Sequence, residues 1–123
     1  MTPEAAIFSL LGELGIPAYA ATSVPDDAGY PYATVEMAVG SFWDGEVQLP
    51  VSLWYYGDSE SEPNAGARAL ATAVGPGGRV LPCDGGAVWV KRGSPLSQSM
   101  GDPTDDKVKR RYVNLTAEFI TSL

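Results

Sequence analysis

The densest group of side chains able to do chemistry in this chain is acidic. Asp102, Asp105 and Asp106 stand close together in "GDPTDD". Three carboxylates at that spacing could offer hard oxygen ligands to calcium, or supply the paired carboxyl groups that hydrolysis uses. The same letters also spell a proline-containing turn whose acids are solvated. Other catalytic routes close on composition. With no histidine in 123 residues, Ser-His and Cys-His pairs and the commonest general base are excluded. The single cysteine, Cys83, precedes Asp84, whose charge disfavours a thiolate. One thiol without histidine makes neither an internal disulfide nor a recognisable zinc set. "GPGG" at 75–78 has the glycines of a phosphate loop but not its Lys and Ser or Thr, and reads as a plain loop. The expectation is a protein that is not an enzyme, with no catalytic residue, metal or cofactor.

Charge narrows the partners. The formal net charge is −7 with a pI near 4.3, against sequence-reading DNA binding, which needs clustered cations to neutralise phosphates. "VKRR" at 108–111 is the one basic run, and it is short and surrounded by acid. As part of a strand it puts Lys109 and Arg111 on one face and Arg110 on the other, where neighbouring acids such as those of "DPTDD" can pair with it. A content of 45% apolar and 19% charged residues is that of a globular domain. No apolar run reaches the roughly 18 residues of a membrane span. The start "MTPEAAIFSLLGEL" lacks the basic opening and long apolar block of a secretion signal and reads as structure, which favours the cytoplasm.

The elements that must position these side chains follow from periodicity. Thr2 suits a helix cap and Pro3 the first helical position, while Ile7, Leu10, Leu11 and Leu14 make one apolar face before Gly15 and Pro17 end it. From Tyr32 to Val39, Ala33, Val35, Met37 and Val39 alternate with Tyr32, Thr34 and Glu36, as in a half-buried strand. Asp44-Gly45 then signals a hairpin, and Val47, Leu49, Val51, Leu53 and Tyr55 share one face of the next strand, with Pro50 marking an edge or bulge. A second helix is predicted from Ser61–Pro63 to Gly75-Pro76, with Ala67, Leu70, Ala71 and Val74 as its stripe. "GRVLPC" and "AVWVKR" flank the tight "DGG" turn as a hairpin, and Val113, Leu115, Ala117 and Phe119 define a closing strand. The prediction is one α+β domain over residues 1–123. Two helices pack on one face of a mostly antiparallel or mixed β-sheet, in the order α-β-β-α-β-β-β.

Two features lie outside that scheme. "GSPLSQSMGDPTDD", residues 93–106, has no strand or helix period and two prolines. Connections average about 4 to 6 residues, so such a length implies a functional or disordered loop, mobile in the free chain. The second feature is aromatic. Strict alternation puts Trp54 and Tyr56 opposite Leu53 and Tyr55, with Trp43 nearby, either under helices on that face or on a partner surface.

The segment from "CDGGAVWVKR" to the C-terminus, taken with "YPYATVEM", resembles the tail terminator, or head-tail joining, proteins of bacteriophages with long non-contractile tails. The shared features are an N-terminal helix, a strand opening near "PY", and a closing strand after a "G-x-P … D-P-x-D" loop, across nearly the whole chain. The resemblance implies a homo-oligomeric ring, typically a hexamer, in the virion at the end of the tail. It would cap the tail tube, end its elongation and offer the surface to which head and neck connector proteins attach. Genome DNA would pass through without sequence-specific binding, and repulsion from an acidic lumen suits that passage. No membrane is involved. Another neck component such as a head-completion protein is the nearest alternative, and a small acidic calcium-binding module or enzyme a more distant one. On this reading the interface consists of Pro95, Leu96, Gln98, Met100, Asp102, Asp105 and Asp106, with Leu96 and Met100 as apolar anchors, together with Trp54 and Tyr56.

Overall fold

The computed structural model describes residues 1–37 and 45–121. Its elements run α1 (Pro3–Gly12), β1 (Ala18–Ala20), β2 (Tyr32–Val35), β3 (Val47–Tyr56), α2 (Ser61–Val74), β4 (Arg79–Cys83), β5 (Gly86–Asp102) and β6 (Asp105–Thr121). The strands form one sheet in the order β1-β2-β3-β6-β5-β4. Only β1 and β2 run parallel, and the other neighbours are antiparallel.

α1 starts and α2 stops on the expected chemistry, whereas α1 ends at Gly12, before Leu14 and Gly15, and α2 starts at Ser61 without a side-chain cap. The Thr2 hydroxyl accepts from the Ala5 backbone N–H at 3.1 Å, and Pro3 needs no donor partner in the first turn. Ala6, Ile7, Leu10 and Leu11 are buried beneath α1, and Ala67, Leu70, Ala71 and Val74 beneath α2. They meet one side of the sheet, where Ala33, Val35, Leu49, Val51, Leu53, Val88, Val90, Val113, Leu115 and Ala117 form the core. Register explains that segregation. Leu49 faces Leu115, Val51 faces Val113 and Val90 faces Ala117, so every second residue of four strands points at the helices. Gly66 lets α2 close on this face, because a Cβ there would sit 2.0 Å from the Tyr55 hydroxyl oxygen.

Four expectations are modified. A short parallel strand, β1, precedes the predicted pair; three residues after Pro17 carry too little alternation to be read. The strand from Tyr32 is regular only to Val35, and Val39, Trp43 and Asp44 lie outside the described residues. Pro50 sits in an interior strand, opposite Asn114 of β6. Its carbonyl accepts from the Glu36 N–H at 3.1 Å, so the side lacking a donor faces the end of β2 rather than the β6 ladder.

The largest correction concerns residues 93–106. They are not a structureless loop. β5 continues to Asp102, turns at Pro103 and Thr104, and returns as β6 from Asp105. The period was hidden by a bulge: Arg92 pairs with Leu115 and Ser97 with Val113, so Gly93, Ser94, Pro95 and Leu96 all lie opposite Asn114. Val88, Val90 and Arg92 point toward the helices before it, Ser97 and Ser99 after it. Alternation is therefore kept but shifted by one position, and beyond the bulge it is written in polar residues.

Candidate interaction surface

The β5–β6 hairpin is fastened on both sides of its bulge. At the bulge, a Cβ on Gly93 would come within 2.7 Å of the Asn114 carbonyl oxygen, so the close approach of the strands there requires glycine. The Asn114 amide donates to the Pro95 carbonyl at 2.8 Å, and Gln98 lies 3.4 Å from the same amide. Leu96 is half-buried and packs against the core. Further out, Arg111 is 5% exposed. It donates to Asn64 Oδ1 at 2.9 Å, to Ser99 Oγ at 3.1 Å and to the Glu60 carboxylate, tying both strands of the hairpin to the start of α2. Its acidic partner is thus Glu60 rather than the acids of "DPTDD". The Arg111 guanidinium holds the Glu60 carboxyl below its ordinary range by hydrogen bonding.

The acids at the turn serve the turn. Asp102 Oδ1 accepts from the Thr104 N–H and hydroxyl, each at 2.7 Å, and these bonds keep its carboxyl below the usual range. Asp105 Oδ1 accepts from the Lys107 N–H at 3.0 Å. Among the described residues no three Asp, Glu, Cys or His side chains are grouped to hold a metal ion. Burial, then the Asp84 charge, raises the pKa of the half-buried Cys83 thiol, leaving it protonated and a weak nucleophile.

The face of the sheet turned away from the helices is where the large rings gather. Trp54 and Tyr56 are not roofed by a helix, since both helices pack on the opposite side. Trp54 is half-buried by its neighbours instead. Its indole N–H donates to Thr34 Oγ1 at 3.0 Å, Tyr32 stacks on it at 6.2 Å, and the Arg110 guanidinium lies 4.7 Å above it. Arg110 also covers Tyr112 at 5.3 Å and donates to Ser52 Oγ at 3.0 Å. Tyr30 bridges Tyr32 and Tyr56, 5.5 Å from each, and Tyr19 extends the row. Tyr30 and Tyr56 are 45% and 54% exposed, which leaves an amphipathic strip of rings open to solvent.

This strip and the hairpin tip are one surface. Trp54, Gly101, Asp102, Pro103, Val108 and Arg110 line a shared hollow of about 200 Å³. The Asp105 carboxylate is close enough to Tyr56 to raise its phenol pKa. Among the residues singled out from sequence, Trp54, Tyr56, Met100, Asp102 and Asp105 thus come together, Asp106 lies beside them, and Pro95, Leu96 and Gln98 sit apart at the bulge. Sequence reading missed Tyr19, Tyr30, Tyr32, Arg110 and Tyr112 as members. The alternation that set Tyr32 and Tyr112 on the outward face was the usable signal, whereas Tyr30 arrives from a loop no period describes.

No protein-family model and no curated protein matches the sequence. The fold does match a solved structure, that of the bacteriophage SPP1 gp17 protein. The TM-score is 0.56, covering 95% of this chain and 87% of that one, at 15% sequence identity. At that identity the likeness is one of fold.

Proposed function

We propose that this chain is a structural component of a tailed-phage neck, a tail terminator. It forms a ring, with six copies the expected number, which caps the tail tube, ends elongation and presents the surface on which the head docks. The observation that carries the reading is the solvent-facing strip of Tyr30, Tyr32, Trp54, Tyr56 and Arg110 running into the Met100–Asp105 tip. Tyr, Trp and Arg are the residue types that dominate protein–protein hot spots, and here they lie on a rigid sheet. The fold shared with a bacteriophage protein supports the same reading. The acidic balance suits passage of DNA without binding it.

The test is complementation of a terminator-defective phage. Wild-type chain should restore tails of uniform length and infectious particles. Changing Trp54 and Tyr56 to Ala should give over-long tails. Normal tail length with failure at the portal would assign the chain to head completion instead.

A further inference from the structure

From the two outer edges of the sheet we infer that copies of this chain join edge to edge, β1 of one subunit extending the sheet beside the outer half of β5 of the next. β4 pairs with β5 only from Gly86 to Val90, so beyond Val90 the outer edge of β5 has no strand beside it among the described residues. Such edges template pairing unless charge, proline or a bulge blunts them. Here the blunting is local. Lys91, Arg92, Pro95 and the bulge guard residues 91–96, whereas Ser97, Gln98, Ser99, Met100 and Gly101 carry no charge and no proline. The opposite outer edge is β1, Ala18-Tyr19-Ala20, short and uncharged, with no strand on its outer side among the described residues.

Direction and charge select the occupant. β1 and β2 run one way, β3 the other, β6 with β1, and β5 against it. A head-to-tail repeat of the sheet therefore sets β1 antiparallel to β5, in the same row as β4. Charge suits one end of that arrangement. Lys91 and Arg92 stand where the free edge of β5 begins, and Asp102 stands where it ends. Exposed Asp26 and Asp27 lie on the loop leaving β1, and exposed Glu36 follows β2. The antiparallel fit sets the acidic end of β1 and β2 in a second copy toward Lys91 and Arg92, and the uncharged start of β1 toward Asp102. A contact of this kind joins two different patches, so it builds a ring where the rotation closes, or a filament where it does not, rather than a closed pair.

Mixing tests this with isolated protein. In one variant Gln98→Glu and Met100→Glu make the β5 edge acidic; in the other, Asp26→Lys and Asp27→Lys make the β1 loop basic. Sedimentation equilibrium should show self-association of wild type, weakened about tenfold or more in each variant by like charges across the contact. An equimolar mixture should regain it, because both contacts in an alternating ring then join opposite charges. Amide exchange on wild type gives a readout free of mutation: protection at residues 18–20 and 97–101 should grow with protein concentration. A wild type that stays monomeric, a mixture no better than its parts, or protection independent of concentration would each overturn the inference. The inference rests on the proposed function only for the number of copies. Edges that pair in a protein phage assembly does not need would sink that function alone, and an essential protein with unprotected edges would sink this contact alone.

Discussion

Below its bulge the β5–β6 hairpin is core, and beyond it β5 comes to the surface while β6 stays partly buried beside β3. Val88, Val90, Leu115 and Ala117 are at most 1% exposed, under both helices and between β3 and β4. Among the described residues, Ser97 to Asp102 of β5 is flanked by β6 alone, and its side chains are half-buried or exposed. The difference lies in what surrounds the strands rather than in their backbone, so one continuous hairpin can be stable at its root and available at its tip. Sheet continuity carries the tip outward while the root supplies the free energy that holds it.

Removing apolar volume at the root should therefore have the largest effect. Leu115→Ala empties a fully buried site and should lower stability by about 2–5 kcal/mol, read by urea denaturation. An effect under about 1 kcal/mol would mean that the root is not the core described here. Leu96→Asp should follow at about 1–3 kcal/mol, since it puts a charge on a half-buried position packed against that core. This narrows the sequence-based picture of Leu96 as a free anchor, because its side chain already has a place within its own subunit.

Arg111 decides how firmly tip and root are coupled. Arg111→Ala leaves Asn64 and Ser99 without their shared donor at a site that is 5% exposed, and should lower stability by about 1–3 kcal/mol. Lysine should rescue little, having no planar fork to reach Asn64, Ser99 and Glu60 together. Amide exchange in 97–101 should quicken in the variant far more than exchange in 86–90. Equal change in both segments would show that Arg111 supports the whole sheet and not the tip.

The acid side of the same pair gives a smaller, pH-dependent signal. The Glu60 carboxyl is held below its ordinary range by Arg111, so the unfolded chain takes up its proton first as pH falls. Its contribution is present at neutral pH, begins to fade as pH enters the ordinary carboxylate range, and is gone below the folded-state value. Glu13, lowered by its hydrogen bond from Arg79, and Asp102, lowered by Thr104, act with the same sign. Glu60→Gln should flatten the acid limb of a stability-versus-pH curve by lowering its neutral plateau, leaving stability below the folded-state value nearly unchanged. An unchanged limb would remove Glu60 from the pair.

The root was legible in the sequence because burial on one face writes a two-residue period. Val47 to Tyr55 and Val113 to Phe119 announce both strands and their inward side, and Thr2-Pro3 and Gly75-Pro76 bound the helices. The tip was not, for two reasons. A bulge containing Gly93 and Pro95 shifts the period by one, and beyond it neither side of the strand is dry, so polarity stops reporting direction. The surface was half legible on the same grounds. Alternation set Trp54 and Tyr56 outward, but their companions Tyr30 and Arg110 reach them through a loop and a neighbouring strand, and cross-strand register is set by the assembled sheet.

Met100 provides the smallest effect on folding. It is 37% exposed, lies opposite Arg110 at the tip, and is absent from the core that Leu96 joins. Met100→Asp should change monomer stability by no more than about 0.5 kcal/mol, the range of ordinary surface substitutions. In complementation it should nonetheless abolish productive tails, because a charge on apolar surface that a partner must dehydrate is costly in the complex and harmless in water. Leu96→Asp cannot make this separation, since folding and docking fall together. A stable Met100→Asp protein that restores normal tails and titre would take the tip out of the interface and leave the Trp54–Tyr56 strip alone to carry it.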